Sequence, residues 1–423
     1  MSRVRIAAYH APMHQPPASA ASPSSGPQTP FRMRSLMISA FLPTLLFGMG
    51  QGAAILATPL FAKDLGATTA MIGLIVAMRG LGTMVFDIPA GMLVSRFGEK
   101  WTLVGGTLLL AVVAIGSAWC QAPWQFSLLS FAMGNSWAVF LLARLSYVSE
   151  STPNDQRGRA LSILGGVNRV GNFIGPVVGG YVMLWFGTDS AFYIQALLSA
   201  AAALLMFFVV DDASSMPAAH GVSAFQRFAG VLRENRRIFA TAGVATVMIH
   251  VLRTARQIVL PLASDAMGLD PAMIGIVYGI SSFIDMAMFY PAGWITDRFG
   301  RKWIGVPSLL ILSVGLALMP FATGFWTLCV IGFIQGMGNG LGSGIVMTLG
   351  ADFSPSVGRG EFLGVWRLMA DMGASAGPMM FGLVAAAATL GVASVATAGL
   401  GFLGAAIMAF TVPETLHRRQ RGP

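Results

Sequence analysis

The chain has 423 residues, of which 55% are hydrophobic and only 10% charged, against about 25% charged in soluble globular proteins. That balance excludes an ordinary soluble enzyme. The net charge of +9 does not make a nucleic-acid binder either, because the basic residues are dispersed over separate short segments.

In chain order, residues 1–35 are rich in Pro, Ser and Ala and lack an apolar core of signal-peptide length, so they read as a disordered cytoplasmic tail. Twelve apolar stretches follow, at 36–60, 71–93, 101–119, 124–149, 160–185, 190–210, 238–262, 272–295, 303–323, 325–351, 361–388 and 390–412. Runs of about 20 apolar residues match the length of a bilayer-crossing helix. Twelve in succession predict an all-α, multi-pass membrane protein. The expected organisation is a six-span bundle at 36–210, a loop at 211–237, a second bundle at 238–412 and a tail at 413–423. Cys120 and Cys329 have no metal-ligand spacing and read as buried small residues.

The Lys and Arg residues predict the orientation. Four lie in the first tail (Arg3, Arg5, Arg32, Arg34), and fifteen in alternate loops and the last tail: Arg96, Lys100, Arg157, Arg159, Arg227, Arg233, Arg236, Arg237, Arg298, Arg301, Lys302, Arg359, Arg418, Arg419 and Arg421. The other loops hold Lys63 alone. A split of 19 to 1 predicts that both termini are cytoplasmic, in the cell (inner or plasma) membrane.

The two halves repeat. PAGMLVSRFGEKW at Pro89–Trp101 returns 202 residues later as PAGWITDRFGRKW at Pro291–Trp303. With the same shift, Pro59 falls on Pro261, Gly134 on Gly336, and Pro153–Pro176 on Pro355–Pro378. Six spans per half give both halves the same orientation, so the axis relating them runs along the membrane normal.

GWITDRFGRK at Gly293–Lys302 carries the loop signature G-x-x-x-D-R-x-G-R-K, and GNFIGPVVGG at Gly171–Gly180 carries GxxxGPxxGG. On these motifs the chain resembles the major facilitator superfamily of secondary transporters, and within it the drug/metabolite:proton antiporter branch. The earlier loop copy departs from the signature at Ser95 and Glu99. The resemblance implies two six-helix bundles working by alternating access. It also implies a cytoplasmic gate in which the loop after span two meets the start of span eleven, and the loop after span eight the start of span five. Asp297 then faces Arg157 and Arg159. Ser95 avoids the repulsion that an Asp there would meet from Glu361, leaving Arg96 and Lys100 to approach that carboxylate. Gly91, Gly98, Gly293, Arg298, Gly300, Arg301 and Lys302 complete the gate.

Nine charges lie inside the expected spans: Arg79, Asp87, Arg144, Arg169, Arg253, Arg256, Asp285, Arg367 and Asp371. Each would cost about 2.5–3.5 kcal/mol facing lipid at mid-helix, so they must face partners, water or a cavity. Arg169 and Asp285 are both about 15 Å deep at 1.5 Å per residue on spans that are neighbours in the resembled fold, so a bridge between them is expected. Asp371 has Arg79, on neighbouring span two, or Arg367, one turn away on its own helix. Asp285 and Asp371, then Asp87, are the candidate proton carriers, and Arg79, Asp87, Arg169, Asp285, Arg367 and Asp371 form the expected charge network. Staple and switch are both open readings of it.

The resemblance also implies a substrate cavity lined by spans one, four, seven and ten. That yields Gln51, Asn135, Trp137, Arg144, Tyr147, His250, Arg253, Arg256, Gln257, Gln335 and Asn339. Six Arg against three Asp within the spans favour a substrate with negative charge or a partly anionic amphiphile. The expected function is proton-coupled efflux of a small organic compound or drug, by one chain acting as a monomer with H+ and lipid as its other partners. Uptake of an organic anion and flipping of a charged lipid or glycolipid are the alternatives. No HExxH, GxSxG or Walker-type GxxxxGK[ST] motif occurs, so neither enzyme activity, nor a cofactor, nor a metal is expected.

Overall fold

The computed structural model describes residues 36–210, 230–356 and 358–416. The expected N-terminal tail, most of the loop between the bundles with Arg227, and Arg418, Arg419 and Arg421 lie outside them.

Among the described residues, ten helices are long and apolar enough to cross a membrane. One of them, Thr69–Ala118, is 50 residues long and broken at Gly98, so it supplies spans two and three. Asn154–Phe186, with 33 residues, is too polar to count among the ten, because Asp155, Arg157, Arg159, Asn168, Arg169 and Asn172 lie on it. It is nevertheless packed between spans one and eight. Twelve crossings result, in two bundles of six.

The repeat is written into the backbone. Spans one and seven each open on a π-helical turn, Met37–Phe41 and Phe239–Gly243. They close at Gly66 and Gly268, with φ of 81° and 77°. Gly98 and Gly300, with φ of 76° and 110°, separate spans two from three and eight from nine. This left-handed region is open to glycine at little cost. Each of these features recurs at the shift found in the sequence.

Small residues let the helices close on one another. Gly171, Gly175 and Gly179 of span five lie against Gly48, Gly52 and Ala53 of span one, and Gly373 and Gly377 of span eleven against Val247 and Val251 of span seven. The halves touch through Gly180 with Gly275 and through Gly73 with Gly382, two contacts that are images of each other under the repeat. Both lie toward the ends of the spans nearest Lys63, here called the lean face; the opposite end, with the Arg and Lys loops, is the basic face.

Two rims of exposed tryptophan mark the bilayer edges. Trp119, Trp124, Trp185 and Trp326 stand at the lean face, and Trp101, Trp294 and Trp303 at the basic face.

Span ten is not the single helix expected at 325–351. It is divided into Phe325–Leu341 and Ile345–Phe353. The break falls at Gly342-Ser343-Gly344, where a Cβ on Gly342 would come within 2.9 Å of Arg253 Nη2. Arg253 Nη2 also donates to the Asn339 carbonyl at 3.4 Å, a cation at a helix C-terminus.

Candidate functional site

A cavity of about 320 Å³ lies at mid-depth between the bundles. Of the expected substrate residues, Gln51, Trp137 and Gln257 line it, as do Arg79, Arg367 and Asp371 of the expected charge network. Thr58, Thr83, Ser130, Asn168, Asn172 and Thr254 line it too, and sequence reasoning missed them. Asn168 and Asn172 did leave a signal: two amides one turn apart, on one face of an otherwise glycine-rich helix.

The other candidates have structural work elsewhere. Asn135 bridges spans two and four, its amide nitrogen donating to the carbonyls of Phe131 and Gly82 at 3.2 and 3.0 Å. Tyr147 packs against the apolar core. His250 Nδ1 lies 3.0 Å from the Thr246 carbonyl. Gln335 is fully buried and donates to the Gly315 carbonyl at 3.2 Å. Asn339 offers its backbone carbonyl to Arg253, as above.

The intramembrane charges form three groups. Arg169 Nη1 is 3.1 Å from Asp285 Oδ2, and Ser343 Oγ donates to the other carboxylate oxygen at 3.3 Å. The same guanidinium stands 4.4 Å from the Phe289 ring centroid. This one-to-one pair spans the two halves.

The second group is unbalanced. Arg367 Nε lies 3.0 Å from Asp371 Oδ2 on its own helix and 3.3 Å from Asp87 Oδ2 on span two. A single N–H thus stands between two carboxylates from opposite halves.

Four arginines remain, and none has a carboxylate at ion-pair distance among the described residues. Arg144 Nη1 donates to Asn168 Oδ1 at 3.4 Å and stacks 5.1 Å from Phe140. Arg256 Nη1 donates to Ser281 Oγ at 2.7 Å beside the Tyr278 ring. Arg253 holds the broken span ten, and Arg79 donates to Gln51 Oε1.

At the basic face the gate residues stand apart. Asp297 is exposed and lines a separate cleft with Ser162, Phe289 and Trp294; no ion pair joins it to Arg157 or Arg159. Ser95 Oγ donates to the Met92 carbonyl at 3.0 Å. Arg96 lies over Phe97, Lys100 over Trp101 and Phe207, and Arg298 over Trp294. Buried Glu99 accepts from Ser146 at 3.0 Å. Arg301 Nε pairs with Asp352 at 2.7 Å, and Lys302 Nζ donates to the Ala409 carbonyl at 2.8 Å. Gly91 lies against Leu142, Gly293 faces open space, and Glu361 sits in the first turn of Arg359–Ala387.

A family description, Major Facilitator Superfamily, matches residues 40–252 and again 242–423. The chain belongs to that superfamily. Among curated proteins, the Multidrug resistance protein MdtH of Yersinia pestis (strain Pestoides F) is 26% identical over 321 residues, covering 75% of this chain and 78% of that one. Its namesake from Yersinia pseudotuberculosis serotype O:1b (strain IP 31758) matches to the same extent. Among solved structures, a bacterial homologue of the human lysosomal transporter Spinster, in an inward-facing conformation, superposes with a TM-score of 0.72 at 14% identity, over 90% of this chain and 97% of that one. The D-xylose-proton symporter gives 0.71 at 18% identity, over 91% and 99%. These two likenesses establish the fold. Chain and family together describe a multi-pass membrane transporter, not an enzyme.

Proposed function

We propose that this transporter exports a small organic compound in exchange for protons, by alternating access in a single chain. The observation that carries the reading is the Arg367 N–H between Asp87 and Asp371. One guanidinium charge cannot balance two ionised carboxylates, so the trio is left one negative charge in excess inside the membrane, which a single proton neutralises. Asp371 also borders the cavity, so a solute there acts directly on the group that holds the proton.

Asp87 belongs to the first half and Asp371 to the second. Opening the interface between spans two and eleven separates them, which relieves the repulsion and releases the proton. Protonation and conformation are then linked as two descriptions of one equilibrium. Asp285, paired one-to-one with Arg169 and bonded by Ser343, serves as the staple on the other side.

The direction rests on the name of the MdtH relatives and on the Gly171–Gly180 motif. The distribution of Lys and Arg supports a cytoplasmic basic face and insertion in the cell membrane. On that orientation the contacts described above close the outer side, and Asp297 meets Arg157 and Arg159 only after the bundles rock the other way. Arg79, which has no carboxylate at ion-pair distance among the described residues, favours a second reading of uptake of an organic anion.

Inside-out vesicles with a pH dye and a panel of anionic, neutral and cationic solutes test the proposal. Solute-dependent proton movement that is absent in Asp371→Asn supports it. Solute movement with no proton flux points to facilitated transport or anion exchange instead.

A further inference from the structure

We propose that Arg79 and Gln51 form a carboxylate-binding site at the end of the cavity, for an organic anion whose apolar body lies along Ile55, Ile75 and Val76. This names the substrate class of the transport reading and rests on it. All five residues line the cavity.

Arg79 is the cavity's one guanidinium without a carboxylate among the described residues, since Arg367 is held between Asp87 and Asp371. Its hydrogen-bond acceptor there is the neutral Oε1 of Gln51. That bond fixes the amide, and the amide's other end, Nε2, is buried without a partner. Gln51 as a whole is 2% exposed. The guanidinium and the amide thus stand together in the cavity lining, joined by one hydrogen bond, with a positive charge and an amide N–H that lack acceptors of their own. A carboxylate supplies the missing acceptors and the missing charge. A cation is repelled there, and a neutral solute leaves the arginine uncompensated.

The fold itself does not demand these residues. Under the repeat, Arg79 corresponds to Ser281 and Gln51 to Arg253, and neither Ser281 nor Arg253 is among the residues that line the cavity. The pair is therefore a local feature of the first half. A single arginine with a single amide suits a monoanion, and the apolar neighbours suit an aromatic or alkyl body.

The test is equilibrium binding to the purified full chain in nanodiscs, without a gradient, using 2-naphthoate and octanoate against 2-naphthamide and octanamide. The expected result is at least tenfold tighter binding of a carboxylate than of its amide. Arg79→Gln should abolish that preference and Gln51→Leu should reduce it severalfold, while Arg237→Gln on the basic rim leaves it intact. If Arg79→Gln does not insert, Arg79→Lys, which keeps the charge and loses the fork, should show a weakened preference. Carboxylates binding no better than amides, or a preference undiminished in both Arg79→Lys and Gln51→Leu, overturns the site. A carboxylate preference without solute-dependent proton movement keeps the site and removes the coupling.

Discussion

Lys63 and Asp265 are each other's counterpart under the internal repeat, 202 residues apart, and they meet as an ion pair on the lean face. A residue that touches its own image must lie beside the axis relating the halves, so this pair sits where the bundles part when the lean face opens. Lys63, in the last turn of Leu42–Asp64, is also the sole Lys or Arg at that face among the described residues.

The side chains are 53% and 29% exposed, so the pair is worth about 0–1 kcal/mol. That suffices to shift two states of similar energy by up to about fivefold. Lys63→Glu should increase the lean-open population, and the exchange Lys63→Asp with Asp265→Lys should restore it. Spin-label distances across the lean face check this; distances unmoved by Lys63→Glu would show that the pair biases nothing.

Closure of the same face depends on glycine. A Cβ on Gly180 would come within 2.6 Å of the Pro271 carbonyl and 3.0 Å of Gly275 Cα, with backbone on both sides and nothing to swing away. Gly180→Val is expected to trap the lean face open, abolishing transport while the protein still inserts. Thiol labelling of a cysteine at Thr254 from the lean side should rise; unchanged labelling with normal transport would refute the packing argument.

Ser95→Asp tests the gate. The new carboxylate would face the region of Glu361 when the basic face closes, and like charges there disfavour the closed form. Transport should fall severalfold, and Glu361→Gln in the same chain should recover it. Full transport by Ser95→Asp would mean that the loop does not approach span eleven.

Glu414 ties the last helix to the turn at Gly300. Partial burial opposes its ionisation, but the backbone N–H groups of Arg301 and Lys302, at 2.9 and 3.0 Å, and those of Leu416 and Thr415 outweigh it. They hold the carboxyl below its ordinary value of 4.5. A lowered folded value contributes stability above the unfolded value, lost as pH falls through the folded one. Glu414→Gln should therefore lower the Tm at pH 7, with the difference shrinking below about pH 4.5. A gap of constant size down to acid pH would exclude the carboxylate as its source.

The architecture was legible because bilayer physics leaves large marks: apolar length, sided Lys and Arg, and glycines that recur at one shift. The site was legible only in part. Charged residues in spans announce themselves, yet their pairing depends on rotation about each helix. The resemblance implied a cavity lined by span seven and so included Arg253 and Arg256, but one serves the break in span ten and the other donates to Ser281. Asp87 stood third among the candidate proton groups because the sequence does not show that Arg367 reaches across to it. Thr58, Ser130 and Thr254 passed unnoticed because hydroxyls in membrane helices ordinarily bond back to their own backbone, as Thr58 and Thr254 do.

Whether the Asp87–Arg367–Asp371 cluster carries the coupling proton can be read from transport itself. The most direct test uses proteoliposomes and compares solute counterflow without a gradient to accumulation driven by a pH gradient. Wild type is expected to do both, while Asp371→Asn and Asp87→Asn keep counterflow and lose gradient-driven accumulation. Gradient-driven accumulation at wild-type level in both variants would contradict that role for the cluster.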